Sequence, residues 1–264
     1  MSVLRAFTDG WRRVLKAPAV IAGLAAVQLL VVSPVAIDLM DADISLLDAT
    51  AMDSSPSIVS VITHYEALVY AALMTFLLGG ILDRLARDRA TSSHGFFGAC
   101  GIYFFRFIRL DALAVPFYLA VFYWAFASLA EDEEPSYAVI APLVLVLNLV
   151  FDYAKVRMVV EDRRSAIGAV TSSLRFIKRH LGAAVNLYGL NVAAAVATYW
   201  IVASFMEPAG AVAIGYVVVR AMLRLVFAGS LIALFQSRLA HAGYTARPLP
   251  TWPESPSAEA IRPH

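Results

Sequence analysis

The chain has 264 residues, of which 60% are apolar and only 16% are charged, and its mean hydropathy is +0.72. A soluble domain carries about 25% charged residues and cannot bury so much apolar surface, which excludes a free cytosolic enzyme and an intrinsically disordered chain. The single cysteine excludes a disulfide framework and a zinc site built from cysteines of this chain. What remains is an integral membrane protein with several spans.

Six apolar stretches are long enough, or nearly so, for a hydrocarbon core that needs about 20 helical residues. They are Ala17–Met40, Val61–Leu82, Leu110–Ala130, Tyr137–Val159, Leu181–Met206 and Ala209–Phe235. Their continuity favours helices over barrel strands, in which polar and apolar residues alternate. The sequence therefore predicts an all-α fold, an integral membrane bundle of six transmembrane helices over residues 1–240, and a Pro-rich disordered tail over residues 241–264.

The basic residues predict how the chain is threaded. All of the 21 Lys and Arg residues except Arg220 and Arg224 lie in the N-terminal segment, in alternate loops or in the C-terminal tail. The opposite loops carry no Lys or Arg and are acidic, as in the run Glu131–Glu134. Because Lys and Arg collect on the cytoplasmic side, this alternation predicts a protein of the inner membrane with both termini in the cytoplasm.

The segment before each odd-numbered span, here called its lead-in, has a similar pattern. A large apolar residue is followed by Arg, any residue, an aliphatic residue and soon a basic one. The three copies are Trp11–Lys16, Phe105–Arg109 and Leu174–Arg179. Ahead of the third copy, an apolar stripe repeats at helical spacing, formed by Ile167, Val170, Leu174 and Ile177. Such a stripe beside Arg and Lys is typical of an interfacial amphipathic helix.

We therefore predict a threefold internal repeat. Each unit consists of an interfacial amphipathic helix, a span and a returning span, and the units start near Val3, Ser93 and Ser165. The alternative is that any cytoplasmic lead-in to a span collects Arg and aromatic residues.

The stretch Asp152–Arg163, together with the third copy of the pattern at Leu174–Arg179, resembles a known membrane domain of six helices. This domain is attached to some bacterial glycerophosphodiester phosphodiesterases and is found in related uncharacterised bacterial membrane proteins. The similarity covers most of residues 1–240. It implies an envelope-associated membrane module. The stretch after Arg238 is too short for the soluble phosphodiesterase domain, so no catalytic residue is carried over from the resemblance.

Polar side chains recur inside the last three spans, where they are costly and usually have a partner. Seven of them form the candidate ligand site: Asn148, Asp152, Asn186, Asn191, Tyr216, Arg220 and Arg224. At about 1.5 Å per residue, Asp152 and Arg224 each lie about 21 Å from the outer end of their spans. We predict that Asp152 pairs with Arg224, which leaves Arg220 to bind a lipid phosphate or a carboxylate. The alternative is a structural role, in which Arg224 reaches the inner headgroups and Arg220 bonds to backbone carbonyls or to Asn191.

Small residues recur at four-residue spacing on the last two spans. The ridge on span five consists of Gly189, Ala193 and Ala197, and that on span six of Ala211 and Gly215. These ridges predict that the two spans pack closely through them.

The sequence carries no zinc-protease, serine-hydrolase, phosphate-loop or paired-cysteine motif. We therefore expect no catalytic residue, no metal ligand and no cofactor. The predicted function is a non-enzymatic inner-membrane module that binds a lipid headgroup or a small anion, or a subunit of a membrane complex. A secondary transporter or channel and an intramembrane lipid-modifying enzyme are the alternatives. The expected partners are membrane lipids. A second copy of the chain or another membrane subunit is a further possible partner, and nucleic acid is not expected.

Overall fold

The computed structural model of the chain describes residues 2–41, 58–88, 90–130, 137–204 and 210–238. Within these ranges the regular secondary structure is α-helical and forms eight helices. They are α1 (Val3–Leu15), α2 (Pro18–Asp41), α3 (Ile58–Arg87), α4 (Ser93–Ala130), α5 (Tyr137–Val160), α6 (Ala166–Arg179), α7 (Leu181–Ser204) and α8 (Gly210–Arg238). The predicted all-α class is confirmed, whereas the predicted tail over 241–264 and the acidic run Glu131–Glu134 lie outside the described residues.

Long apolar helices make this a multi-pass membrane protein. Among the described residues, four stretches are long and apolar enough to cross a bilayer: Val69–Arg87, Val139–Val160, Leu181–Val202 and Gly215–Arg238. Over the residues that the structure describes, each of the six predicted spans falls on a helix. Helical structure satisfies every backbone hydrogen bond within the segment, as the bilayer interior requires.

Serine hydroxyls cap the helices that precede the odd-numbered spans. Ser2 at α1, Ser92 at α4 and Ser165 at α6 each accept a hydrogen bond from the backbone N–H three residues further on. Serine is favoured there because its hydroxyl satisfies an N–H that has no partner inside the helix. The predicted helix starts near Val3 and Ser93 are met, and α6 begins one residue after Ser165.

The second lead-in differs from the prediction, because α4 runs from Ser93 to Ala130 without a break. The first lead-in ends just before Pro18, whose ring disfavours the helical conformation in the residue ahead of it. The third ends at His180, whose φ of −129° and ψ of 33° leave the helical region. No glycine or proline lies between Gly101 and Pro116 to break α4. The second amphipathic segment and its span therefore form one helix.

Each lead-in segment packs on the C-terminal part of a long helix. α1 lies on α8, the start of α4 lies on α3, and α6 lies on α5. A Cβ added to Gly10 of α1 would lie 2.7 Å from the backbone nitrogen of Ser230, and one added to Gly80 of α3 would lie 2.6 Å from the Cys100 sulfur. The Ser173 hydroxyl of α6 donates to a backbone carbonyl of α5 at 3.2 Å. Small residues thus let the backbones approach closely at these contacts.

Two aspartates bind the lead-in helices from the ends of α3 and α5. Asp88 and Asp162 follow those helices with φ of 46° and 50°, a left-handed conformation that aspartate tolerates better than most residues. Asp88 Oδ2 lies 3.3 Å from Lys16 Nζ, after α1, and Asp162 binds Arg106 of α4. The first pair ties the end of α1 to the end of α3, and the second ties α4 to the end of α5.

The predicted packing through the small-residue ridges is wrong. A Cβ added to Gly189 or Gly215 meets nothing within 4 Å, and the alanines of the α7 ridge are exposed. α7 and α8 do contact each other, but α7 turns to α8 the face that carries Asn191. The reason is that a polar amide gains a partner at a helix contact, whereas glycine and alanine lose little when they face outward.

Candidate functional site

A cleft of about 420 Å³ lies between α7 and α8. Its wall on α7 consists of Tyr188, Asn191, Val192, Ala195 and Thr198. Its wall on α8 consists of Tyr216, Arg220, Leu223, Arg224 and Phe227. The intervals of three and four residues place each set on one helical face. Four of the predicted site residues, from two spans, therefore meet in this cleft.

The two arginines of the cleft have few partners in the protein. Arg224 Nη1 lies 3.4 Å from the Tyr70 hydroxyl and 3.9 Å from the sulfur of Met74, both on α3. Arg220 makes no hydrogen bond or ion pair with the residues that the structure describes. Both arginines are exposed. Because a guanidinium has five N–H donors, most donors of this pair are unused within the described chain.

Asp152 does not pair with Arg224, so this prediction is corrected. Asp152 of α5 instead accepts a hydrogen bond from the Tyr188 hydroxyl of α7 at 3.3 Å. Arg224 turns toward α3. Counting residues from the span ends shows that Asp152 and Arg224 lie at the same depth, but it does not show which neighbour each side chain faces. The two side chains lie on helix faces that point to different neighbours. Among the described contacts, Asp152 reaches the cleft through Tyr188, a residue of span five that is not part of the predicted site.

Asn191 joins the two helices that form the cleft. It is buried, with 7% of its surface exposed. Its Nδ2 donates to the Leu187 carbonyl at 2.8 Å and to the Ser230 hydroxyl at 3.0 Å. No bond to Arg220 exists among the described contacts, so the alternative in which Asn191 holds that arginine has no support.

The two remaining predicted site residues lie elsewhere. Asn148 of α5 accepts a hydrogen bond from the Tyr118 hydroxyl of α4. Asn186 is exposed and does not line the cleft. Five residues separate it from Asn191, which is about 140° around a helix, so the two asparagines cannot share a face.

The cleft carries positive charge. Among the residues that the structure describes, two arginines and no carboxylate line the cleft. The nearest acidic groups of α4 and α5 are bound to other partners, since Asp111 pairs with Lys155 at 2.9 Å and Asp152 accepts from Tyr188. An anion in the cleft would find the bidentate guanidinium groups that suit phosphate and carboxylate, with the Tyr216 hydroxyl as an additional donor.

The described residues contain no group of three or more His, Cys, Asp or Glu side chains that could hold a metal ion. The thiol of Cys100 on α4 is buried against Gly80 of α3. Burial raises the pKa of this thiol, because the thiolate would lose its hydration. A thiol with a raised pKa is a weak nucleophile.

Comparison of the chain with models of known families, with curated proteins and with solved structures finds no match. The resemblance of Asp152–Arg163 to the membrane domain of glycerophosphodiester phosphodiesterases therefore stays a prediction. The helices themselves make the chain a multi-pass helical membrane protein, and its function has to be argued from the cleft.

Proposed function

We propose that this protein crosses the inner membrane six times, with both termini in the cytoplasm, and binds an anionic group in the cleft between α7 and α8. The group is a phosphate or carboxylate carried by a lipid headgroup or a small solute. The protein is a non-enzymatic, envelope-associated module whose partners are membrane lipids. The observation that carries the proposal is the presence of Arg220 and Arg224 in a cleft that no carboxylate of the described residues lines.

The cost of an unpaired arginine supports an anionic ligand. On translocon scales, Arg at the centre of a span costs about 2.5–3.5 kcal/mol. Arg220 lies about 15 Å along α8 from Gly210, near the middle of the span. Hydrogen bonds to a charged group contribute about 1.5–3 kcal/mol each, so a bound anion would offset a large part of this cost.

The charges at the helix ends support six crossings. The last turns of α3, α5 and α8 carry Arg87, Arg157 and Arg238. The last turns of α2, α4 and α7 carry no basic residue. This alternation is what the positive-inside rule requires if every one of these helices crosses the bilayer.

The docking of the lead-in segments supports the threefold repeat. The lead-ins of the second and third units lie on the returning helix of the unit before, and α1 closes the ring by lying on α8. Ser2 and Ala6 of the first unit correspond at a constant offset to Ser165 and Ala169 of the third. In both units the serine caps the helix and the alanine is buried.

The test compares anion binding by the wild-type protein and by variants in detergent micelles, using isothermal titration calorimetry. The probes are a short-chain phosphatidic acid for a lipid phosphate, and inorganic phosphate and acetate for small solutes. We expect Arg220→Gln and Arg224→Gln each to weaken binding by about tenfold or more, because each removes a charge-assisted hydrogen bond.

The matched control is Arg175→Gln, which neutralises an exposed arginine on α6. This variant should bind the probes as tightly as the wild type. Equal affinities of Arg220→Gln and Arg175→Gln for every probe would contradict the proposal. The probe that binds most tightly distinguishes a lipid source of the anion from a soluble one.

A further inference from the structure

A second and larger cavity, of about 630 Å³, lies between α2, α3 and the start of α4. Its apolar walls include Gly23 and Val27 of α2, Leu73 and Leu77 of α3, and Phe96 of α4. Its volume falls in the range of ligand sites, about 300–1,000 Å³. None of the described residues lines both this cavity and the cleft between α7 and α8, so the two are separate sites.

One end of this cavity is cationic. Lys16 and Arg84 line it beside the N-terminus of α2, which begins at Pro18. The start of this helix contributes mainly its partial positive charge, because Pro18 has no N–H and the Val20 N–H already donates to the Ala17 carbonyl. Ser93, at the start of α4, lines the same region. These donors together suit a phosphate group.

Arg84 is the side chain that points to an anionic ligand. Only 7% of its surface is exposed, and its one hydrogen bond within the described chain runs from Nη2 to the Lys16 carbonyl at 3.1 Å. Lys16 Nζ lies 3.3 Å from Asp88 Oδ2, but Arg12 Nη2 lies 3.6 Å from the same atom. The carboxylate of Asp88 is therefore shared by two exposed cations, Lys16 and Arg12. Arg84 has no ion pair among the described residues.

We propose that this cavity binds one anionic phospholipid of the cytoplasmic leaflet, with an acyl chain between α2 and α3 and the phosphate against Arg84 and Lys16. A long apolar chamber with a cationic end matches an amphiphile that is negatively charged at one end. The leaflet follows from the proposed threading, which puts the start of α2 and the end of α3 at the cytoplasmic face, where anionic lipids attract basic residues. The proposal rests on that threading and not on anion binding at Arg220.

Filling the cavity tests the acyl-chain site. A Cβ at Gly23 meets nothing within 4 Å, so Gly23→Trp places a large side chain in the cavity without striking the backbone. Gly189→Trp is the matched control, since Gly189 is equally open and lines neither cavity. Native mass spectrometry of the detergent-released protein counts bound palmitoyl-oleoyl phosphatidylglycerol, with phosphatidylcholine as the zwitterionic reference.

We expect Gly23→Trp to retain about tenfold less phosphatidylglycerol than the wild type, because the chain loses its apolar contacts. Gly189→Trp should retain as much as the wild type. Equal retention by Gly23→Trp and Gly189→Trp would overturn the proposal. For the headgroup, Arg84→Gln should reduce the preference for phosphatidylglycerol over phosphatidylcholine by about tenfold, and an unchanged preference would overturn that assignment.

A measurement on the wild-type chain does not depend on how the variants fold. Phosphatidylglycerol with a photoreactive acyl chain should cross-link to residues 20–27 of α2 and 73–81 of α3, which line the cavity. Cross-links confined to exposed aromatic side chains outside the cavity, such as Tyr123 of α4, would overturn the proposal. Loss of anion binding at Arg220 would leave these cross-links unchanged, so the two proposals fail independently.

Discussion

At the scale of single residues, Gly10 determines how α1 docks on α8. A Cβ at this position would lie 2.7 Å from the nitrogen of Ser230 and 2.9 Å from the carbonyl oxygen of Val226. Both are backbone atoms of a helix, so neither can rotate away as a side-chain atom could. Gly229 stands opposite, where a Cβ would lie 3.2 Å from the Gly10 Cα. The two helices therefore meet backbone to backbone.

We predict that Gly10→Val lowers the thermal stability of the purified protein. Overpacking of a close contact costs about 1–3 kcal/mol, which for a chain of this size corresponds to several degrees in the melting midpoint. The midpoint is measured by fluorescence-detected thermal unfolding in detergent. Gly98→Val is the control, because a Cβ at Gly98 of α4 meets nothing within 4 Å. A midpoint for Gly10→Val equal to that of Gly98→Val would contradict the close docking of α1.

The candidate site could be predicted in part, because charge within an apolar run is conspicuous. Arg220 and Arg224 stand out in span six for that reason, and the structure places both in one cleft. Their partners could not be predicted. Tyr188 carries no charge and is an ordinary residue in a span, so nothing in the sequence marks it as the partner of Asp152. The prediction that Asn186 belongs to the site fails, because five residues separate it from Asn191 and the two side chains lie on different helix faces.

At the scale of helices, the local sequence encodes where each helix begins and ends. It does not encode which face the helix turns to its neighbours. Ser2 and Ser165 mark the starts of α1 and α6, and Pro18 separates α1 from α2. A span that is apolar all round contains no such signal for the side it turns to its neighbours. For that reason the prediction that the Gly189 ridge makes a helix contact is wrong: a Cβ at Gly189 meets nothing within 4 Å.

The link between α5 and α4 gives a prediction at this scale. Asp162→Asn removes the charge that binds Arg106 but keeps a residue that tolerates a φ of 50°. Because 66% of the Asp162 side chain is exposed, we expect this variant to lose only about 0.2–1 kcal/mol. Asp162→Val also introduces left-handed backbone strain, so it should lose about 1–3 kcal/mol more. Chemical unfolding in detergent measures both values.

Equal losses for Asp162→Asn and Asp162→Val would show that the backbone conformation at this helix end carries no cost. The same pair of substitutions at Asp88, whose φ is 46°, serves as an internal comparison. It should show the same order, because that aspartate occupies the equivalent place after α3.

At the scale of the whole molecule, the proposed six-span threading depends on long apolar helices that carry basic residues at alternate ends. Four of those helices contain candidate spans among the described residues, and every predicted span falls on a helix. The positions of the long apolar helices and the charge asymmetry could be predicted because both depend on composition over about 20 residues. The docking of α1 on α8, of the start of α4 on α3 and of α6 on α5 could not be predicted, since it depends on the directions that the helix faces take in the folded chain.

The most direct test of the six-span threading is cysteine accessibility in intact cells with a membrane-impermeant maleimide. The native Cys100 provides the blank, because burial raises the pKa of its thiol and it should not react in the folded protein. Glu133→Cys should be labelled from the outside, and Arg164→Cys only after the membrane is permeabilised. Labelling of both positions from the same side of the intact membrane would contradict the proposed threading.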